Sequence, residues 1–454
     1  MNNSSDISDQ LIFTIDVGGT KTKINVFDNV NQEFLLTSKE EIENTEFQQQ
    51  YLELPAKEVP ETFVNHLFNL IEEKLNKLNK DISSIFGIGI GVPAQVEENG
   101  NINRIPAFGI TNLNLQQELG ERLNSNGKIK ICVIQDVKMH TLGMYRALKE
   151  QEQNQDTRSL MVISAGTAAG IGIIVDSKLI DGSEFRFPSN VLRGYGIKWS
   201  IEKDAKQTNS CRDLGWKVAG TGIKSTFIER VMEVFDSSAA KAIINNSDIT
   251  QLGNPSYTDI LDESDRGCHL ARRICIKTLD PDNVNNQNES PVQQQIEDNF
   301  KNTVTNFKDS RFLKNKLGIK DWDEFLQLNI ANLKNKLLQI SSEDKDIPEY
   351  INDYADNDIF CRNIIEECAE ILGLSLSIII PIINPSHIIF AGGISNSKIW
   401  VNKVKTTISL NSSCEEECFL DIEKIIQTKF PNHTALQLLG AVELIRPIAS
   451  DKPF

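Results

Sequence analysis

Two stretches near the start alternate apolar and polar positions with the period of a strand. LIFTIDV (11–17) and TKINVFD (22–28) flank Gly18, Gly19, Thr20 and Lys21, and predict an antiparallel hairpin with its glycines at the turn. Residues 59–79 space their apolar positions near 3.6 and predict a helix. SSIFGIGIGVPAQV predicts a strand running into a loop at Gly91, Val92 and Pro93. Residues 129–134 predict a short apolar strand that ends at Gln135 and Asp136, then passes directly into a helix carrying Met139, Leu142 and Tyr145. After the polar linker KEQEQNQDTRS, the segment SLMVISAGTAAGIGIIVDSKLIDG repeats the opening logic: strand, small-residue turn at 164–170, second strand. A helix over 358–380, a strand at HIIFAGGIS and a last helix at TALQLLGAVELI complete the pattern. Two glycine-turned hairpins, each leading its own half, predict a duplicated α/β chain. The block at about 280–355 differs, with an Asn/Gln-rich run followed by an amphipathic helical stretch, and reads as an insertion on the second half.

A chain of 454 residues is long enough for two such domains. Its net charge of −16 argues against a general binder of nucleic acid or anionic membrane. The first residues show no basic stretch followed by an apolar one, so no secretory signal is expected. The longest apolar run, Ile371 to Ile383, is too short to span a bilayer, contains Pro381, and reads as a buried helix. A cytoplasmic location is the expectation. The eight cysteines include no CxxC pair and read as reduced thiols.

Four stretches carry chemistry. In DVGGTKT, backbone N–H groups of a glycine turn can face an anion, and Thr20, Lys21 and Thr22 add donors and charge. An acid directly before such a turn suits a Mg2+ lying between carboxylate and phosphate; a plain turn capped by Asp16 explains the residues equally well. SAGTAAGIG has the same construction around Gly166, Thr167 and Gly170, with close packing as its alternative. It is neither a P-loop nor a dinucleotide-binding turn, because no GK[ST] ending and no helix follows the glycines. Gly392 and Gly393 end a buried strand, where ligands of α/β sheets sit. Asp136, where strand meets helix, can act as a general base toward a hydroxyl or as a helix cap.

The pieces IDVGGTKTKINVFD, GIGIGVPAQV, VIQDVKMHTLGM, SAGTAAGIGIIVDSKLIDG, WKVAGTGI, INPSHIIFAGGIS and LQLLGAVELI follow one another in an order that resembles the ROK group of sugar kinases. The resemblance implies an α/β fold of two duplicated ribonuclease H-like (actin-like ATPase) domains with a cleft between them. Their expected extents are 11–150 and 158–454. It implies that Gly18, Gly19, Thr20 and Lys21 on one side, and Gly166, Thr167 and Gly170 on the other, pinch the phosphates of ATP. Asp16 would lie near Mg2+, directly or through water, and Gly392–Gly393 would sit against the adenosine. Asp136 matches the family's base, which takes the proton of the attacking sugar hydroxyl.

The chain departs from the family on the sugar side. Gln135-Asp136 stands where Asn-Asp is usual, and Pro106-Ala107 where Pro-Asn is usual. The E-x-G-H motif is absent, and SEFRFPSNVLRGYG puts Ser189 and Asn190 near its place. With Pro93, these form the expected substrate-binding set; a hexose or hexosamine-type sugar is the expected substrate, and the lost hydrogen bonds fit a related polyol or amino sugar, or a weakened activity, better than glucose. The family's zinc-binding cysteine run is reduced to Cys211, so no structural zinc is expected. The five histidines, His66, His140, His269, His387 and His433, fall at no motif position and read as structural. The expected partners are therefore ATP and a sugar, with no nucleic acid and no membrane, and nothing in the sequence opposes a homodimer. A non-catalytic regulator on the same fold is the alternative. A DNA-binding repressor is not expected, since only a short polar stretch precedes Leu11; nor is a chaperone-type ATPase, since no peptide-binding domain is evident.

Overall fold

The computed structural model describes residues 11–36 except 20, 41–44, 51, 54–151 apart from 106–107 and 124–127, 158–180 apart from 167–168, 218–231 and 306–336 in part, 347–412, 426–427 and 433–447. In the first half these form β1 (Leu11–Val17), β2 (Lys21–Asp28), β3 (Glu33–Phe34), β4 (Glu41–Glu43), α1 (Val59–Lys77), β5 (Ile85–Val92), β6 (Asn101–Ile105), β7 (Ile110–Asn114), α2 (Leu115–Arg122), β8 (Lys130–Gln135) and α3 (Asp136–Gln151). The second half contains β9 (Leu160–Ala165), β10 (Ala169–Val175), β11 (Lys178–Leu179), α4 (Arg311–Lys316), α5 (Ile347–Tyr354), α6 (Ile359–Ile383), β12 (His387–Ala391), α7 (Lys398–Ser412), β13 (Ile426–Gln427) and α8 (His433–Ile445).

The two main sheets share one plan. Their strand orders are β3-β2-β1-β5-β8 and β11-β10-β9-β12-β13, with β4 added beside β2. In each, an antiparallel hairpin is extended by two parallel strands. This is the duplicated actin-like fold.

Side-chain alternation explains what covers each face. Phe13, Ile15 and Val17 of β1, with Ile88, Ile90 and Val92 of β5, pack with Phe63, Leu67 and Ile71 of α1. The opposite face carries Ile12, Thr14 and Asp16, level in register with Gly87, Gly89 and Gly91. Those glycines leave room for helices: a methyl at Gly89 would press on Ala441 of α8, and one at Gly91 on Met139 of α3. The second sheet repeats the device, since Gly170 and Gly172 of β10 receive Val137 and Thr141 of α3. Leu142, Tyr145 and Leu148 of α3 then pack against Leu160, Val162 and Ile389.

The helices are thus exchanged. α3 follows the first sheet yet covers the second, while α8 follows the second sheet yet covers the first through Val442 and Ile445 against Ile12 and Phe27. They cross backbone to backbone: a methyl at Gly143 would overlap the Leu436 carbonyl, and one at Gly440 the Met139 carbonyl. Arg146 pairs with Glu443 across the crossing at 3.5 Å, both buried. Lys130 Nζ closes the end of α8 by donating to the Ile445 carbonyl at 3.0 Å.

The stretch expected as an insertion joins the second core where it is described, for Phe307, Phe312, Leu313, Ile347 and Ile351 are buried in it. Asp358 ties these pieces together. Its Oδ1 caps α6 by accepting from the Phe360 and Cys361 amides, while Oδ2 accepts from Ser310 Oγ at 2.8 Å and the Phe312 amide at 2.9 Å. The apolar run at 371–383 forms the end of α6 and passes through Pro381, but it is not buried all round. Ile378 and Ile382 are 59% and 76% exposed, because they lie on the face opposite Leu372, Leu376 and Ile380, which the core buries with Ile371, Ile379 and Ile383 at its edges. Among the described residues no helix is long and apolar enough to cross a membrane.

The helix crossing has no slack for a side chain. Gly440→Ala is expected to cost about 3 kcal/mol or more, read as a lowered urea midpoint with an unchanged slope.

Candidate active site

The hairpin and strand ends of both sheets meet the first turn of α3, and in open α/β sheets ligands sit outside such strand ends. In the first sheet Asp16 stands level with Gly91, Gly91 with Ile134, and Val92 with Gln135. Asp136 is the next residue and the first of α3. In the second sheet Ala391 is level with Ser164, so the turns at Gly166 and Gly392 emerge together. α3 leads from one strand edge to the other, which sets its first turn beside both glycine hairpins.

The first hairpin closes tightly: the Gly18 amide donates to the Lys21 carbonyl at 2.8 Å, and a methyl on Gly18 would crowd that oxygen. Asn44 braces it from β4's end, donating to the Gly18 carbonyl at 3.0 Å and accepting from Thr22 Oγ1 at 2.8 Å. Asn44 is fully buried, and no periodic pattern in its segment could have marked it. Lys21 lies at the surface, paired with Glu41 at 3.4 Å.

The glycines separate into two groups. Gly392 adopts φ +90 and presses on the Ala165 carbonyl, so it needs to be glycine for internal reasons. Gly18 and Gly170 also face atoms of the protein. At Gly19, Gly166 and Gly393, one on each turn, an added methyl would meet no described atom within 4 Å. A side chain at these three positions would thus clear the described residues. The Gly166 carbonyl accepts from the Gly220 amide at 2.9 Å, which docks the AGTG segment onto the second hairpin.

Asp136 Oδ1 accepts from the Val137 amide at 2.7 Å, a local bond within the first turn of α3 that engages one oxygen. Part of the residue borders the cleft, yet the protein around its carboxyl pushes the pKa up to about 6. Burial is the main cause, the Asp16 charge adds to it, and His140 and the Val137 amide oppose it. The histidine expected to be structural thus enters the site: His140 Nε2 stands 3.5 Å from Asp16 Oδ2. Its position four residues after Asp136 on a helix puts both on one face, a spacing that was visible in the sequence. Pro93 and Gln135 are half-buried at the ends of β5 and β8. Thr20, Ala107, Thr167, Ser189, Asn190 and Cys211 lie outside the described residues.

Two sheets of one strand order, joined by exchanged helices and opening on a shared cleft, define the fold of sugar kinases and actin-like ATPases. The ROK family pattern matches residues 12–185 and 331–447, more than half of the chain, and the chain belongs to that family. A ROK family glucokinase from Streptomyces griseus, solved with glucose and AMPPNP, is similar at a TM-score of 0.52 and 15% identity, over 96% of this chain and 98% of that one. A ROK family transcriptional regulator, a homologue of the E. coli MLC protein, is similar at a TM-score of 0.51 and 15% identity, over 96% of this chain and 78% of that one. These likenesses carry the fold. In sequence, the chain is 29% identical over 136 residues to a xylose repressor from Caldicellulosiruptor bescii, covering 30% of this chain and 32% of that protein. The match therefore spans about a third of the repressor's length.

The raised pKa of Asp136 has a stability consequence. The folded carboxyl holds its proton more tightly than the unfolded one, whose ordinary value is 3.8. Its contribution is thus greatest below that value and declines as pH rises toward about 6. Asp136→Asn should remove this slope and raise the melting temperature at neutral pH by a few degrees, as seen in thermal melts across the acid range.

Proposed function

We propose that the protein is an ATP-dependent kinase that phosphorylates a hydroxyl of a hexose or hexosamine-type sugar, with Asp136 as general base. The observation that carries this reading is the placement of Asp136 at the start of α3, between the strand end that bears Asp16 and the second glycine hairpin, where burial pushes its pKa up to about 6. A base with that value is ionised at neutral pH, yet close enough to it to accept a proton in the transition state. Gly166 and Gly393, where an added methyl would meet no described atom, suit close approach of phosphates and adenosine, and Gly18, Gly19, Thr20, Lys21 and Thr167 would add donors. Asp16, an oxygen donor at a strand end near phosphate-type turns, fits a nucleotide-borne Mg2+, which takes one or two carboxylates and fills its other positions with water and phosphate. Bound there, the ion would neutralise phosphate charge. The chain's own residues would hold the triphosphate in line with the acceptor, take the hydroxyl proton at Asp136, and exclude water as the halves close. Pro93, Ala107, Gln135, Ser189 and Asn190 would shape the sugar pocket.

A non-catalytic, nucleotide- or sugar-binding regulator is the second reading. It is favoured by the missing E-x-G-H motif and by the sequence likeness to a xylose repressor. A panel of hexoses and amino sugars with ATP and Mg2+, followed by product analysis, separates the two. The kinase reading expects turnover on at least one sugar. It also expects Asp136→Asn to lower kcat by about 10²- to 10⁴-fold while nucleotide affinity is kept. Sugar or nucleotide binding without phosphoryl transfer to any sugar would establish the regulator instead.

A further inference from the structure

The second half turns an apolar ridge to solvent. On α6, Leu374, Ile378 and Ile382 follow one another at a spacing of four, which puts them on one face, with Pro381 beside them. Leu374 is half-buried and the other three are exposed. α7 adds Leu410, which is 72% exposed. Two ties hold α7 alongside α6 and parallel to it: Lys403 pairs with Glu370 at 3.1 Å, and a methyl at Gly373 would press on Thr407. One further turn along both helices brings Leu410 about level with Ile378. The exposed side chains therefore gather at one end of one helix pair. That end adjoins the start of β12, opposite Gly392, and the pair lies on the side of the second sheet away from α3, since it buries Ile388 and Phe390 while α3 covers Ile389. Exposed apolar residues scattered singly need no explanation, but a gathered set does.

Charge says what the ridge can receive. α6 carries no charged residue from Ile371 to Ile383, nor α7 from Thr406 to Ser412, on a chain whose net charge is −16. Over most of their surface two copies of this chain repel one another; on the ridge nothing opposes contact. A strongly acidic or basic partner would find no complementary charge there. A ridge of uncharged apolar side chains on two parallel helices is instead complementary to itself. Turned about a two-fold axis, two such pairs pack face to face into a four-helix layer. We propose that this end of α6 and α7 is the interface of a homodimer, with Ile378, Ile382 and Leu410 at its apolar centre. Homodimer interfaces are the more apolar kind, and their centres are depleted of charged residues. Placed there, the interface leaves the candidate site of each protomer uncovered. The inference is independent of what that site does.

The test is the mass of the full chain in solution, by sedimentation velocity over a wide concentration range. The wild-type protein should sediment as a dimer and dissociate on dilution. Ile382→Glu combined with Leu410→Glu should weaken dimerisation at least about 30-fold, the loss expected of a single hot-spot residue. Val30→Glu and Phe86→Glu, at exposed apolar positions of the first half, should leave it unchanged. Circular dichroism reports whether each variant is folded. Hydroxyl-radical footprinting needs no substitution: in the wild-type protein Ile378, Ile382 and Leu410 should be protected at high concentration and become reactive on dilution. A wild-type chain that is monomeric throughout the range would overturn the interface. So would a dimer that persists in the folded Ile382→Glu/Leu410→Glu variant, or one in which the three side chains stay reactive.

Discussion

The rest of the structure depends on two helices approaching until their backbones touch. α3 and α8 meet at Gly143 and Gly440, where carbonyls of one helix lie against the α-carbons of the other. Such an approach is open only to glycine, and it is flanked by a buried Arg146–Glu443 pair. Because each helix also lies on the sheet of the opposite half, the crossing fixes how the two strand edges face each other. The strand glycines serve the same end. Gly87 and Gly89 admit α8, and Gly170 and Gly172 admit α3.

The chemistry is mounted on this crossing. α3 begins at Asp136, so the residue that joins the halves mechanically also carries the acid at the floor of the cleft. Its capping bond to Val137 and its raised pKa arise from one fact, namely that a helix starts at a crowded junction where water is scarce. The even face of β1 brings Asp16 to the same floor, since Ile12, Thr14 and Asp16 alternate away from the core of the first half. Two carboxylates and an imidazole are thereby held within the first two turns of one helix and the end of one strand. Fold and site share their parts, and substitutions near the crossing act on both.

Much of the architecture was legible along the chain because period-2 alternation and glycine turns are local signals. The register of β1 on β2, Val17 level with Thr22, follows the hairpin expected from GGTK. The helix at Val59–Lys77 matches its apolar spacing within two residues. Long-range roles were harder to see. GIGIG looked like a strand approaching a loop, while Gly87 and Gly89 answer to a helix more than 300 residues away in sequence. Gly170 and Gly392 looked like ligand contacts and are needed first by neighbouring atoms of the protein. His140 looked structural because no motif claims it, and Asn44 carried no signal at all; both matter through partners that only folding supplies. The apolar run of α6 overstated burial, because hydrophobicity in a helix does not say how wide a stripe the neighbours cover.

The exchange of helices also imposes an order in time. The chain is made from its N-terminus, and the first sheet's strands are complete by Gln135. The helix that shields its glycine-lined face, α8, begins at His433, almost 300 residues later. At about 5–20 residues per second, this leaves that face waiting roughly 15–60 s on the ribosome. Through that interval Gly87, Gly89 and Ile12 present a flat, apolar surface that awaits α8. The nascent first half is thus an unfinished body, dependent on a helix translated almost 300 residues later.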